Sequence, residues 1–201
     1  MKLDRAGWPF VFGLGALGLV LSPFTYLGAA VTLAALAFTV NFFRDPERRP
    51  PVDPAALISP ADGKIIRADV RRVSIFMNVF DVHVCRSPIA GAVTSVRNDP
   101  GRFVAAMKDE ASEQNERTTI VVTPSDGAPV TFVLVAGLVA RRIVCRVTPG
   151  RTLAAGDRVG IIRFGSRVDV DLPEGASAAV TVGQRVVAGE TVIARRSAAP
   201  S

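Results

Sequence analysis

The chain of 201 residues carries 24 Lys and Arg against 18 Asp and Glu, a formal net charge of +6 at pH 7. Its length holds one compact domain and an appendage, and its basic balance points to an acidic partner, either nucleic acid or an anionic membrane. With one histidine and two distant cysteines a zinc centre has nothing to be built from, so no metal is expected, and Cys85 and Cys145 read as buried free thiols rather than a disulfide.

The N-terminus chooses between the two acidic partners. Uncharged apolar runs at 7–21 and 27–43 are interrupted at Ser22-Pro23 and followed by a basic segment at 44–49. This is a membrane signature, and no nucleic acid is expected. Each run falls short of the roughly 20 apolar residues that span a hydrocarbon core, so neither is comfortable alone. One reading is an α-helical membrane hairpin that crosses twice, or dips in and returns. Lys2 and Arg5 would flank it on one side and Arg44, Arg48 and Arg49 on the other, both at the cytoplasmic face of the cell (inner) membrane. A second reading makes the first run a secretory signal peptide ending near Ala29-Ala30, against which the apolar character continues through Phe43. Residues 1–49 are thus expected to be an anchor with its basic juncture, and residues 50–201 a separate domain entered through the proline-rich linker 49–54.

From Ile58 onward the text is strand-like, with valine and isoleucine dominant and glycine as punctuation. Strands are predicted at 64–70, 73–79, 82–85, 92–97, 118–123, 130–139, 142–147, 159–163, 167–172, 178–182 and 191–194, with weak helical periodicity only at 103–108. The fold class is mainly β, a compact β domain. Stretches 147–159 and 180–192 share a V-x-x-G-x-x-[LV]-x-x-G-[DE]-x-V cadence, whose glycines suit tight hairpins at positive φ. The cadence resembles that of lipoyl/biotinyl-type hammerhead hairpins. No lysine follows Lys108, however, so a swinging-arm carrier is not expected.

The stretch 160–173 holds Gly165-Ser166 between apolar residues, followed by Val168, Val170 and Leu172 alternating with Arg167, Asp169 and Asp171 as in a half-buried strand. Alone, Gly-Ser there reads as a bulge or tight turn at a strand start. The full word Arg163-Phe164-Gly165-Ser166-Arg167-Val168-Asp169 resembles the self-cleavage site of the phosphatidylserine decarboxylase family in its short bacterial and archaeal form. Further blocks resemble that family's in the same order: Asn41 to Arg48, Ser59-Pro60-Ala61-Asp62-Gly63-Lys64, Asn78 to Val84 with Arg86-Ser87-Pro88, and Glu113-Gln114-Asn115-Glu116-Arg117.

The resemblance implies a proenzyme cut between Gly165 and Ser166 into a β chain of residues 1–165 and an α chain of residues 166–201, which remain together as a heterodimer. It implies a pyruvoyl cofactor made from Ser166, a Schiff base between that group and phosphatidylserine at the membrane, and decarboxylation to phosphatidylethanolamine. His83 is the one side chain whose ordinary pKa, about 6.5, lets it take and return a proton near neutrality, so it is the expected base. Asp62 matches the family's aspartate that orients the histidine, and Asp81, two residues before His83, is the weaker alternative. Longer relatives carry a second histidine where this chain has Arg86, which reads either as a ligand for substrate phosphate or carboxylate or as a solvated strand residue. The resemblance implies that Asn115 and Arg117 lie near the substrate pocket or brace it. Met77, Phe80 and Phe103 read as an acyl-chain groove or simply as core. Competing functions are a non-enzymatic membrane-tethered lipoyl-like β module, and a decarboxylase of an archaeal ether-lipid phosphoserine.

Overall fold

A computed structural model describes residues 2–101, 115–137, 142–163 and 166–196, so Phe103, Glu113, Gln114, Gly165 and the weak periodicity at 103–108 lie outside the described residues. The chain forms two compact units, Met1–Glu47 and Arg48–Ser201.

In the first unit β1 (Lys2–Leu3) leads through a 3-10 turn at Arg5–Gly7 into α1 (Trp8–Leu21), and α2 (Tyr26–Phe42) runs into β2 (Arg44–Asp45). β1 and β2 pair antiparallel, Lys2 opposite Asp45. The Asp4 carboxylate accepts the Ala6 N–H at 2.9 Å, satisfying one of the donors left open where helical structure starts. Thr25 caps α2 in the same way, accepting from Gly28. Where the helices cross, a Cβ on Gly18 would meet Thr32 at 3.6 Å. The outer surfaces stay apolar: Phe12, Leu19, Phe24, Tyr26 and Leu27 are all exposed.

The expected membrane-crossing hairpin is not supported. α1 has 14 residues and α2 has 17. At 1.5 Å per residue these measure about 21 and 25 Å, against a hydrocarbon core of roughly 30 Å. No helix among the described residues is long and apolar enough to cross a membrane.

The second unit is mainly β. Its strands are β3 (Ala56–Ile58), β4 (Gly63–Ala68), β5 (Arg72–Met77), β6 (Val84–Arg86), β7 (Gly91–Asp99), β8 (Arg117–Thr123), β9 (Val130–Ala136), β10 (Ile143–Cys145), β11 (Thr152–Leu153), β12 (Arg158–Ile162), β13 (Ser166–Asp171), β14 (Ser177–Ala178), β15 (Arg185–Val186) and β16 (Val192–Arg195). An eight-stranded sheet runs β11-β7-β8-β9-β13-β5-β4-β15, and two three-stranded sheets run β10-β12-β6 and β14-β16-β3.

These orders are those of one motif used twice. β3, β4, β5, β13, β14, β15 and β16 pair among themselves as β6, β7, β8, β9, β10, β11 and β12 do, and β9 joins β13 at the centre of the large sheet. Even the irregularities match, with bulges at Ile65/Arg67 on β4 and Val93/Ser95 on β7. The two echoing stretches become equivalent hairpins, with Gly150 and Gly183 at φ 90° and 93° and Gly156 and Gly189 at 83° and 77°. The second half is therefore inserted into the first, between Met77 and Ser166.

Inward residues Ile65, Val73, Ile75, Ile120, Phe132, Leu134, Val168 and Val170 form the core. The strand carrying Arg167 and Asp169 departs from the half-buried pattern: both of these side chains are buried too, the Arg167 Nε donating to Asp169 Oδ1 at 2.6 Å and its Nη2 to Ser74 Oγ at 3.0 Å. Charge pairing lets a polar face go under cover. At the turn into β4, a Cβ on Gly63 would stand 2.2 Å from the Phe76 carbonyl oxygen, so close backbone approach requires glycine. Gly63→Ala is expected to cost about 2–4 kcal/mol, because the main chain of β5 must move. A fall in Tm of several degrees on calorimetry checks this.

Candidate active site

The inserted half is tied to its host by two covalent joints. The entry joint, 78–83, leaves β5 at Met77 and reaches β6 at Val84, and it carries His83. The exit joint, 163–165, leaves β12 at Ile162 and reaches β13 at Ser166. Because β5 pairs with β13 and β6 with β12, the joints are held together at both ends. Ser166 lies opposite Met77, and the Ile162 N–H donates to the His83 carbonyl at 3.4 Å. The chain thus brings together its only histidine, on one joint, and Ser166, where the strand after the other joint begins.

Ser166 is fully buried, and its Oγ donates to the Met77 thioether at 3.3 Å. A thioether is a weak acceptor, so the hydroxyl proton is lightly held. His83 is also fully buried, with Nδ1 2.9 Å from the Asp81 carbonyl oxygen. A carbonyl only accepts, so Nδ1 carries the proton in the neutral ring and Nε2 is the basic nitrogen. On its other flank Ser166 lies opposite Ala136, whose carbonyl accepts the Asn115 Nδ2–H at 2.7 Å and whose N–H donates to Glu116 O at 2.9 Å. Asn115 is buried and so fixes the main chain beside Ser166.

A model described as phosphatidylserine decarboxylase matches residues 35–70 and 67–194, which takes in both joints and every strand from β3 to β15. The chain belongs to the phosphatidylserine decarboxylase family. It is 51% identical over 174 residues to the phosphatidylserine decarboxylase proenzyme of Desulfotalea psychrophila, covering 81% of each chain. It is 46% identical over 207 residues to that of Solidesulfovibrio magneticus, covering 97% of this chain and 96% of the relative. To that of Burkholderia ambifaria it is 45% identical over 203 residues, covering 96% and 95%.

Within this decarboxylase-family site, Asp62 departs from expectation. Its carboxylate does not bond the imidazole among the described residues. Arg48 Nη2 donates to Oδ1 at 3.0 Å and to Oδ2 at 2.8 Å, and the Ala188 N–H donates to Oδ1 at 2.7 Å. Two stronger claims on the carboxylate leave the ring to be oriented by main chain. Burial pushes the Asp62 carboxyl above its ordinary value, while the Ala188 N–H and the Arg48 charge hold it back. Asp81 contributes its carbonyl to His83, and its carboxylate accepts the Asn78 N–H at 2.9 Å and pairs with Arg185.

Arg86 is buried, which overturns the solvated-strand reading. Its Nη1 donates to the Gly156 carbonyl at 2.9 Å, and its Cδ would stand 3.0 Å from a Cβ placed on Gly189. It therefore packs against one glycine of each equivalent hairpin. Arg117 stands on β8 with its Nε on Asp99 Oδ2 at 3.2 Å. Met77 is core and also touches Ser166, whereas Phe80 is exposed. Cys85 and Cys145 are free thiols, and burial pushes the Cys85 thiol up. Sequence reasoning missed the Asp81 carbonyl and Arg48. A main-chain acceptor leaves no residue signature, and the Arg48–Asp62 pair has no periodicity to reveal it.

Proposed function

We propose that this chain is a self-processing decarboxylase of phosphatidylserine, yielding phosphatidylethanolamine, with a pyruvoyl group made from Ser166. The convergence of the two joints carries this reading, since it sets the lone histidine beside the strand that begins at Ser166. The shared name of the relatives, phosphatidylserine decarboxylase proenzyme, supports both the substrate and the processing. The residues present fit such a group: a buried serine hydroxyl on a thioether, at the first position of a strand, preceded by glycine.

In self-cleavage the Ser166 Oγ adds to the Gly165 carbonyl carbon while its proton passes to His83 Nε2, and as the C–N bond breaks His83 gives that proton to the departing Ser166 nitrogen, leaving an ester and a free Ser166 amine. Loss of the Ser166 Cα proton expels Gly165 as a carboxylate and leaves dehydroalanine, from which water releases ammonia. Once formed, the pyruvoyl group supplies an electron sink for departing carbon dioxide. Asn115 keeps the Ala136 main chain in place beside residue 166, Met77 excludes water, and His83 holds a proton at Nε2 for return. The β chain and α chain stay together through β13, which is paired on both sides. An electrospray mass spectrum tests the reading. It should show a fragment ending at Gly165 and a second one, beginning at residue 166, about 17 Da lighter than the serine peptide through net loss of ammonia. An intact full-length chain in active material would refute it.

The apolar surface of α1 and α2, with Lys2, Arg5 and Arg44 nearby in sequence, supports a place at the cytoplasmic face of the cell membrane, the hairpin entering one leaflet. Residues 48–201 expressed alone should be soluble and still process. Their persistence in the membrane fraction at high salt would show that the β domain binds lipid by another route.

A further inference from the structure

The repeated motif supplies an internal control for Asp62. It closes the turn Ser59-Pro60-Ala61-Asp62-Gly63, whose counterpart in the inserted half is Ser87-Pro88-Ile89-Ala90-Gly91. The two turns are built alike: the Ser59 hydroxyl donates to the Ala61 carbonyl at 2.6 Å and the Ser87 hydroxyl to the Ile89 carbonyl at 2.7 Å. Each then enters its strand through a glycine that nearly touches the next strand's main chain. Alanine at position 90 serves the second turn, so the fold does not require a carboxylate at this point. Asp62 and the arginine that grips it answer a different need.

The pair is nearly enclosed, with side chains 13% exposed for Arg48 and 15% for Asp62. A carboxylate at that depth stays charged only with a partner, and Arg48 supplies two hydrogen bonds to it. The groups that face it come from several elements. Arg48 belongs to the segment before β3, the Ala188 N–H to the hairpin after β15, and Asp81 and Cys85 lie two residues either side of His83. Glu190 in turn stands 4.0 Å from Arg48 Nη1 and accepts the Arg49 N–H at 3.0 Å. The Arg86 N–H donates to the Pro60 carbonyl at 2.8 Å, which ties the turn carrying Asp62 to the strand that follows His83, so the Asp62 charge stands beside the His83 segment although its oxygens are bonded elsewhere.

We propose that Arg48 is a positioning residue for self-cleavage, pinning the Asp62 carboxylate as an anion beside the His83 segment, where the charge favours the imidazolium formed when His83 takes the Ser166 proton. This rests on the self-processing reading above. Asp62 needs no contact with the ring to do so, because an anion held in a poorly screened interior acts over several ångströms. Without the Arg48 charge Asp62 would protonate at higher pH, and its help would be lost from the acid side first.

The test is the pH–rate profile of self-cleavage of the full chain, made by cell-free synthesis and followed on gels from about pH 5 to 9. Arg48→Gln should move the acid limb upward by about one unit, a tenfold loss on that limb, and approach the wild-type rate at the alkaline end. Arg48→Lys should restore most of the shift, and Asp62→Asn should slow cleavage across the range. An unshifted profile in Arg48→Gln alongside a slow Asp62→Asn overturns the role of Arg48 alone. Wild-type cleavage in Asp62→Asn overturns the role of Asp62 on which it depends. A uniform, pH-independent loss in Arg48→Gln would make the pair a structural clasp and overturn the proposal, and thermal unfolding of Arg48→Gln in a Ser166→Ala background reports that clasp separately.

Discussion

Ser166→Ala is expected to leave a single uncut chain of full length with no decarboxylase activity, while the β domain folds as before. The hydroxyl is the only nucleophile the mechanism places at the exit joint, and its removal costs the fold little, since its one described hydrogen bond is to a thioether. Wild-type material should contain both fragments, and they should part only in denaturant. β13 is the reason: it lies between β5 and β9 with register pairs along its whole length to both neighbours, so cutting the peptide bond before it leaves a central strand fully paired. Hydrogen bonds of β15 to β4 and of β16 to β3 hold the rest of the α chain. Native mass spectrometry of the wild type should therefore give one species of summed mass, and under denaturing conditions two. Cleavage of Ser166→Ala at its normal site would remove the serine from the mechanism.

The mainly β character was legible because Val and Ile recur through β4, β5, β7, β8, β9 and β13, two apart in β5 (Val73, Ile75) and in β13 (Val168, Val170). β3, β11 and β15 were not, since two or three residues are too few to show a period. The echo between 147–159 and 180–192 marked two equivalent hairpins, but it did not show that one half is inserted into the other. That arrangement follows from strand pairing over long separations, of which sequence holds only the short second echo between Ser59-Pro60 and Ser87-Pro88. The two apolar runs were legible as helices, whereas membrane crossing was not supported, because Ser22-Pro23 divides the stretch into helices each below the needed length. In the site, resemblance brought Asp62 to the histidine by family pattern. It could not foresee that Arg48, 14 residues upstream, holds both carboxylate oxygens, or that the Asp81 main chain orients the ring.

His83→Ala is expected to slow self-cleavage by about 10²–10⁴-fold, the range that a positioned general base contributes. A base for Ser166 must stand at the joints and must be able to take a proton near neutral pH. Asp62 has its oxygens on Arg48 and Ala188, and Asp81 has its oxygens on Asn78 and Arg185. His83 has its Nδ1–H fixed on the Asp81 carbonyl, which leaves Nε2 as the acceptor whatever the side chain of residue 81. Asp81→Ala should therefore spare the tautomer while loosening the turn that Asn78 and Arg185 brace. Its cleavage should fall far less than that of His83→Ala. Added imidazole should restore part of the rate in His83→Ala if the cavity left by the ring admits it, and the restored rate should rise with pH as free imidazole loses its proton. Near wild-type cleavage in His83→Ala without any added base would place proton removal on another group, and Asp62 released from Arg48 would be the first to examine.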